Sequence, residues 1–105
     1  MTVYWRPGCG FCGALLRGLE RQGVGFEQVN IWDDPDGAAF VRSVAGGNET
    51  VPTVRVADVA LINPSARDVL REVARRAPEH LPEGLDADEL APGPASRWLG
   101  RVLGG

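Results

Sequence analysis

The feature that most constrains this chain is a pair of cysteines set two residues apart, Cys9-Gly10-Phe11-Cys12, between an apolar run and a helical pattern. Both cysteines of the 105-residue chain lie in it. Thr2 to Trp5 is short, β-branched and aromatic, and reads as a strand. Pro7-Gly8 marks a turn. Cys12, Leu15, Leu16 and Leu19 then recur at helical spacing, and Gly23 offers a C-terminal stop after Gln22. Strand, turn, cysteine, helix is a setting in which a CxxC pair performs thiol–disulfide exchange.

The placement has a physical consequence. Backbone N–H groups in the first helical turn lack intrahelical partners and favour a negative charge beside them. A thiolate at Cys9 gains from that, so its pKa is expected below the free value of about 8.5. Cys12, one turn on, is expected to be more buried and less ionised. The pair is then ordered: Cys9 attacks a disulfide, and Cys12 attacks the resulting mixed disulfide. Arg6 is the cation nearest in sequence, either helping the thiolate or an anionic substrate, or simply solvated.

Other uses of two cysteines fit less well. A closed zinc site takes four ligands, and the chain offers two cysteines and the distant His80. A structural disulfide here closes a very small loop and stabilises little. Two inert core cysteines sit poorly beside Gly8 and Gly10, which suit an exposed loop.

Downstream the pattern continues as alternating elements. Phe26 to Ile31 reads as a strand buried on both faces. Asp34-Pro35 starts a helix that runs through Phe40 and Val41 to Gly46-Gly47. Thr53 to Val56 and Val59 to Ile62 read as a hairpin around Ala57-Asp58. Ser65 caps a third helix with Ala66, Val69, Leu70 and Val73 inward and Arg67, Asp68, Arg71, Glu72 and Arg75 outward. The expected fold is α/β, βαβαββα, with a four-stranded mixed sheet, a first crossover placing two strands in parallel, and helices on both faces.

At this point the chain resembles a known family. Cys9-Gly10-Phe11-Cys12 after an N-terminal strand, with Thr50-Val51-Pro52 downstream, is similar to the glutaredoxins. Val41-Arg42-Ser43-Val44, the run Gly46 to Val54, and Asn63-Pro64-Ser65 resemble the mycoredoxins of actinobacteria. The resemblance covers Met1 to about Ala77 and implies the thioredoxin fold. It implies a cis Pro52 against the cysteine pair, leaving the Val51 backbone to hydrogen-bond an extended substrate. It also implies reduction of mixed disulfides with a low-molecular-weight thiol, mycothiol, as co-substrate. Asn63-Pro64-Ser65 replaces a Gly-Gly pair found in most glutaredoxins, which suits a different thiol: mycothiol is sugar-linked and lacks the glycyl carboxylate of glutathione. Ser65 either caps the helix or touches the ligand. Departures are Gly8 before Cys9, Gly10 where dithiol members often carry proline, and Leu16 where many carry lysine.

Expected catalytic residues are therefore Cys9 and Cys12. Expected substrate contacts are Arg6, Phe11, Thr50, Val51, Pro52 and Ser65. No bound cofactor and no metal are expected. Expected partners are mycothiolated or disulfide-containing proteins, the small thiol, and alternatively a flavoprotein reductase, as for NrdH-type electron donors of the family. Cys-Gly-Phe-Cys also differs only in its last residue from the Cys-Gly-Phe-Ser of iron–sulfur carriers, a further alternative.

Charge and length exclude other classes. Residues 1–77 carry nine Arg and nine Asp or Glu, so the net charge of −3 lies in the last 28 residues. No basic footprint for nucleic acid is present. No apolar stretch approaches a membrane span, and the absence of a leader pattern points to the cytoplasm. The division expected is a domain over 1–77 and an acidic, Pro-rich extension over 78–105, with a short amphipathic helix after Ser96. Such a helix is too short to stand alone and must dock. A monomer is favoured.

Overall fold

The structure is a computed structural model that describes residues 1–81. The amphipathic helix expected after Ser96 lies outside the described residues. Four strands form one sheet: β1 (Thr2–Trp5), β2 (Glu27–Asn30), β3 (Thr53–Val56) and β4 (Val59–Ile62). Their order is β2-β1-β3-β4, with β1 parallel to β2 and antiparallel to β3, and β3 antiparallel to β4. Helices α1 (Gly10–Gln22), α2 (Pro35–Val44) and α3 (Ala66–Arg76) and a 3-10 turn at Pro78–His80 complete the thioredoxin-fold topology.

The register explains the core. Val3 opposes Val54, and Val54 opposes Leu61, so three aliphatic side chains cross the sheet in one row. All are buried, and Leu15 and Leu19 of α1 and Val69, Leu70 and Val73 of α3 pack on that face. On the other face Tyr4, Ile31, Ala38 and Val41 form a smaller cluster under α2. The Tyr4 ring stacks on Phe40, and the Arg55 guanidinium lies 5.4 Å from the Phe40 centroid. A Cβ at Gly18 would lie 2.8 Å from the Cβ of Ala66, so glycine permits the close approach of α1 to α3.

The helix ends follow local chemistry. Gly23 ends α1 in the left-handed region, with φ 74°. Asp34 caps α2 by accepting from the Gly37 N–H, and Pro35 takes the first turn. Ser65 and Asp68 form a reciprocal capping box on α3. Ser65→Ala removes one half of that box and is expected to lower stability by about 1 kcal/mol, read as a shifted urea midpoint at unchanged slope.

Two expectations are corrected. Strand β2 is not buried on both faces: it is a sheet edge, with Glu27 and Gln28 exposed. Its irregular apolar pattern reflects the flanking Phe26 and Ile31 as much as the strand. Glu72 does not face solvent but is 1% exposed. Its Oε1 accepts from Arg76 Nε at 2.7 Å and its Oε2 lies 3.9 Å from an Arg75 nitrogen. Arginines one turn along neutralise the carboxylate, which makes burial tolerable. The bond to Glu72 in turn raises the Arg76 pKa above its usual range.

Candidate functional site

The topology brings four connections to one end of the sheet. Parallel β1 and β2 both end there, antiparallel β3 begins there, and β4 ends there, since Thr53 opposes Ile62. Residues 6–9, 31–34, 50–52 and 63–65 therefore converge. The cysteine pair stands in the first of these.

Cys9 and Cys12 are joined by a disulfide. Cys9 is the N-cap of α1, and its Sγ accepts the Cys12 backbone N–H at 3.1 Å. Helix α1 starts at Gly10, two residues before the expected Cys12, so the Cys9 sulfur itself meets an orphan N–H of the first turn. Gly10 is thus helical, and the loop's unusual backbone is confined to Gly8, at φ 80°. The two sulfurs differ in access: Cys9 is half-buried, while Cys12 is 1% exposed. An N–H donor and the helix N-terminus, both of which favour a negative charge beside them, meet at Cys9. The buried Cys12 lacks that solvent access.

The second connection to reach Cys9 is residues 50–52. The Val51–Pro52 bond is cis, and Pro52 is buried. The Val51 carbonyl oxygen lies 3.9 Å from Cys9 Sγ. Thr53, fully buried, donates its hydroxyl to the Thr50 carbonyl at 2.7 Å. The Asn63 N–H donates to the Pro52 carbonyl at 2.8 Å. These two bonds hold the segment at both ends and tie it to the connection after β4. Sequence reasoning missed both; a threonine after proline gives no signal of where its hydroxyl points.

The remaining expected contacts are spread around this centre. Phe11 is 74% exposed. With Ala14, Arg21 and residues 63–66 it borders an open cleft of about 440 Å³ between α1 and α3. Arg6 is exposed in the loop before Cys9, and Thr50 is half-buried. The Ser65 hydroxyl is engaged in capping α3, the plainer of its two expected roles. Trp5 is half-buried, and its Nε1 is buried without a hydrogen-bond partner among the described residues. Leu16, where a lysine was the family expectation, packs against the core. Among the described residues no cluster of three His, Cys, Asp or Glu is placed to hold a metal, and no helix is long and apolar enough to cross a membrane.

This arrangement is that of a thiol–disulfide oxidoreductase: an accessible sulfur that caps a helix, a buried sulfur bonded to it and a backbone carbonyl alongside. Comparison with known proteins agrees. The glutaredoxin family model matches residues 1–62. A protein of Mycobacterium tuberculosis named as a glutaredoxin is 40% identical over 78 residues, spanning 73% of this chain and 93% of the relative. Mycoredoxin 1 of Corynebacterium glutamicum is 34% identical over 74 residues, spanning 70% and 91%. The glutaredoxin-like protein NrdH of Salmonella typhimurium is 37% identical over 60 residues, spanning 57% and 72%. With its redox pair, its fold and these likenesses along most of its length, the chain belongs to the glutaredoxin family.

Proposed function

We propose that this protein reduces mixed disulfides between protein cysteines and a low-molecular-weight thiol, and that the thiol is mycothiol. The observation that carries the reading is the asymmetry of the pair, with Cys9 accessible and capping α1 and Cys12 1% exposed. The identity to a relative named mycoredoxin supports the choice of thiol, as does the resemblance of the run from Gly46 to Val54 and of Asn63-Pro64-Ser65 to that family. A reducing thiol pool is the natural setting, so the cytoplasm is the proposed compartment.

The Cys9 thiolate attacks the mycothiol sulfur of the mixed disulfide. The protein thiolate leaves and takes up a proton, and Cys9 is now joined to mycothiol. In the monothiol route a second mycothiol thiolate attacks the bound mycothiol sulfur, giving mycothiol disulfide and free Cys9. In the dithiol route Cys12, deprotonated, attacks Cys9 Sγ, releases mycothiol and leaves the Cys9–Cys12 disulfide. Phe11, Thr50, Val51 and Pro52 are the proposed walls along which the substrate lies, with the Val51 backbone as its hydrogen-bonding edge. Arg6 is the proposed cation at the rim. Ser65 acts through the helix it caps.

Cys12→Ser is expected to retain at least part of the turnover on a mycothiol mixed disulfide, because free mycothiol can resolve the intermediate. A side-by-side assay with a glutathione mixed disulfide tests the choice of thiol: equal or better use of glutathione would refute it. The likeness to NrdH favours a second reading, an electron donor for protein disulfides recharged by a flavoprotein reductase. In that case Cys12→Ser is inactive, and reductase with NADPH sustains insulin reduction without any added mycothiol.

A further inference from the structure

Two large apolar side chains are exposed among the described residues, Phe11 at 74% and Trp32 at 64%. Phe11 belongs to the cysteine motif. Nothing in thiol–disulfide exchange requires Trp32. It follows β2 in residues 31–34, at the same end of the sheet as the redox pair. The Ile31 N–H donates to the Trp5 carbonyl at 2.9 Å, and Trp5 leads directly into the Cys9 loop. The two exposed aromatics therefore stand at the same end of the molecule, Phe11 in the first turn of α1 and Trp32 on the connection after β2.

Trp32 is held in a stiff turn. The Asn30 side-chain oxygen accepts the Trp32 N–H at 3.0 Å, and the Asn30 amide nitrogen donates to Asp33 Oδ2 at 3.2 Å. The Asp33 N–H donates to the Asn30 carbonyl at 3.0 Å. Asp34 and Pro35 then fix the start of α2. An exposed tryptophan on pre-ordered backbone loses little conformational freedom on binding, which is the property of an interface anchor. Two exposed carboxylates, Asp33 and Asp36, follow it along the chain, while exposed Arg6 stands on the adjoining connection after Trp5.

We propose that Trp32, with Asp33 and Asp36, is a docking surface for the protein half of the substrate, and that it selects target cysteines flanked by an aliphatic side chain and a lysine or arginine. The aliphatic group packs on the indole and the cation faces the two carboxylates. The surface adjoins the Cys9 loop, so a segment bound there is continuous with the reacting sulfur. The proposal rests on the oxidoreductase reading above and names the class of protein that this site favours. Trp32 was not singled out by its sequence context, because an aromatic residue before Asp-Asp-Pro reads only as the end of a strand.

The test uses the full chain and two mixed disulfides of mycothiol, one with a Leu- and Lys-bearing cysteine peptide and one with 2-mercaptoethanol. Trp32→Ala is expected to lower the ratio of kcat/KM for the peptide to kcat/KM for the small substrate by about tenfold, mainly through KM. Trp32→Phe is expected to restore much of that ratio. A binding arm needs no turnover: the same peptide with serine for cysteine should shift the indole N–H resonance that Trp32→Phe removes. An unchanged ratio, or an unmoved resonance, overturns the docking surface. Failure of wild type on both disulfides, with the resonance still shifting, overturns the mycothiol reading and leaves the surface standing.

Discussion

Cys9→Ser is expected to abolish turnover, lowering kcat/KM by roughly three orders of magnitude or more, to the rate of uncatalysed exchange. The reason is specific to this sulfur. It combines partial exposure, the Cys12 N–H at 3.1 Å and the α1 N-terminus, and Cys12 at 1% exposure offers none of the first. A serine hydroxyl still caps the helix, so the fold is expected to survive and the loss to be chemical. Assays of disulfide reduction beside circular dichroism and thermal melts separate the two. Appreciable reduction by Cys9→Ser would mean that Cys12 is the nucleophile and that the order of the pair is reversed.

Leu19→Ala is expected to cost about 3 kcal/mol of folding stability, the usual range for a buried leucine whose neighbours cannot collapse into the void. Leu19 is fully buried between the sheet and α3, in the cluster with Val3, Val54 and Val69. A domain of this size holds on the order of 5–15 kcal/mol in total, so the melting temperature should drop by more than about 10 °C. Calorimetry or urea titration reads it directly. A loss under about 1 kcal/mol would show that α1 and α3 close over the cavity, against the tight contact of Gly18 with Ala66.

The fold was legible in the sequence because the local signals agree with each other. Strands β3 and β4 lie at the expected residues, and Asp34, Ser65 and Gly23 punctuate the helices as their chemistry directs. The cysteine pair was legible because a strand, a turn and a helical pattern flank it, whereas its place as the cap of α1, with the helix starting at Gly10 instead of Cys12, was not. What was not legible depends on distant partners. Burial of Glu72 needs Arg75 and Arg76 placed around it and a helix pressed against the sheet. The edge position of β2 is set by strand order, which a run of residues such as Phe26 to Ile31 does not encode. The bonds from Thr53 to Thr50 and from Asn63 to Pro52 arise only when the sheet gathers its connections at one end.

In the proposed mechanism the sulfur that caps α1 is also the sulfur that reacts, which couples helix and chemistry in both directions. A thiolate is a stronger acceptor than a disulfide sulfur for the same N–H, so each reduction tightens the first turn and each oxidation relaxes it. By linkage, the difference in strength between the two bonds favours the reduced form by that amount. The Cys12 amide resonance is therefore expected to report which state the molecule is in.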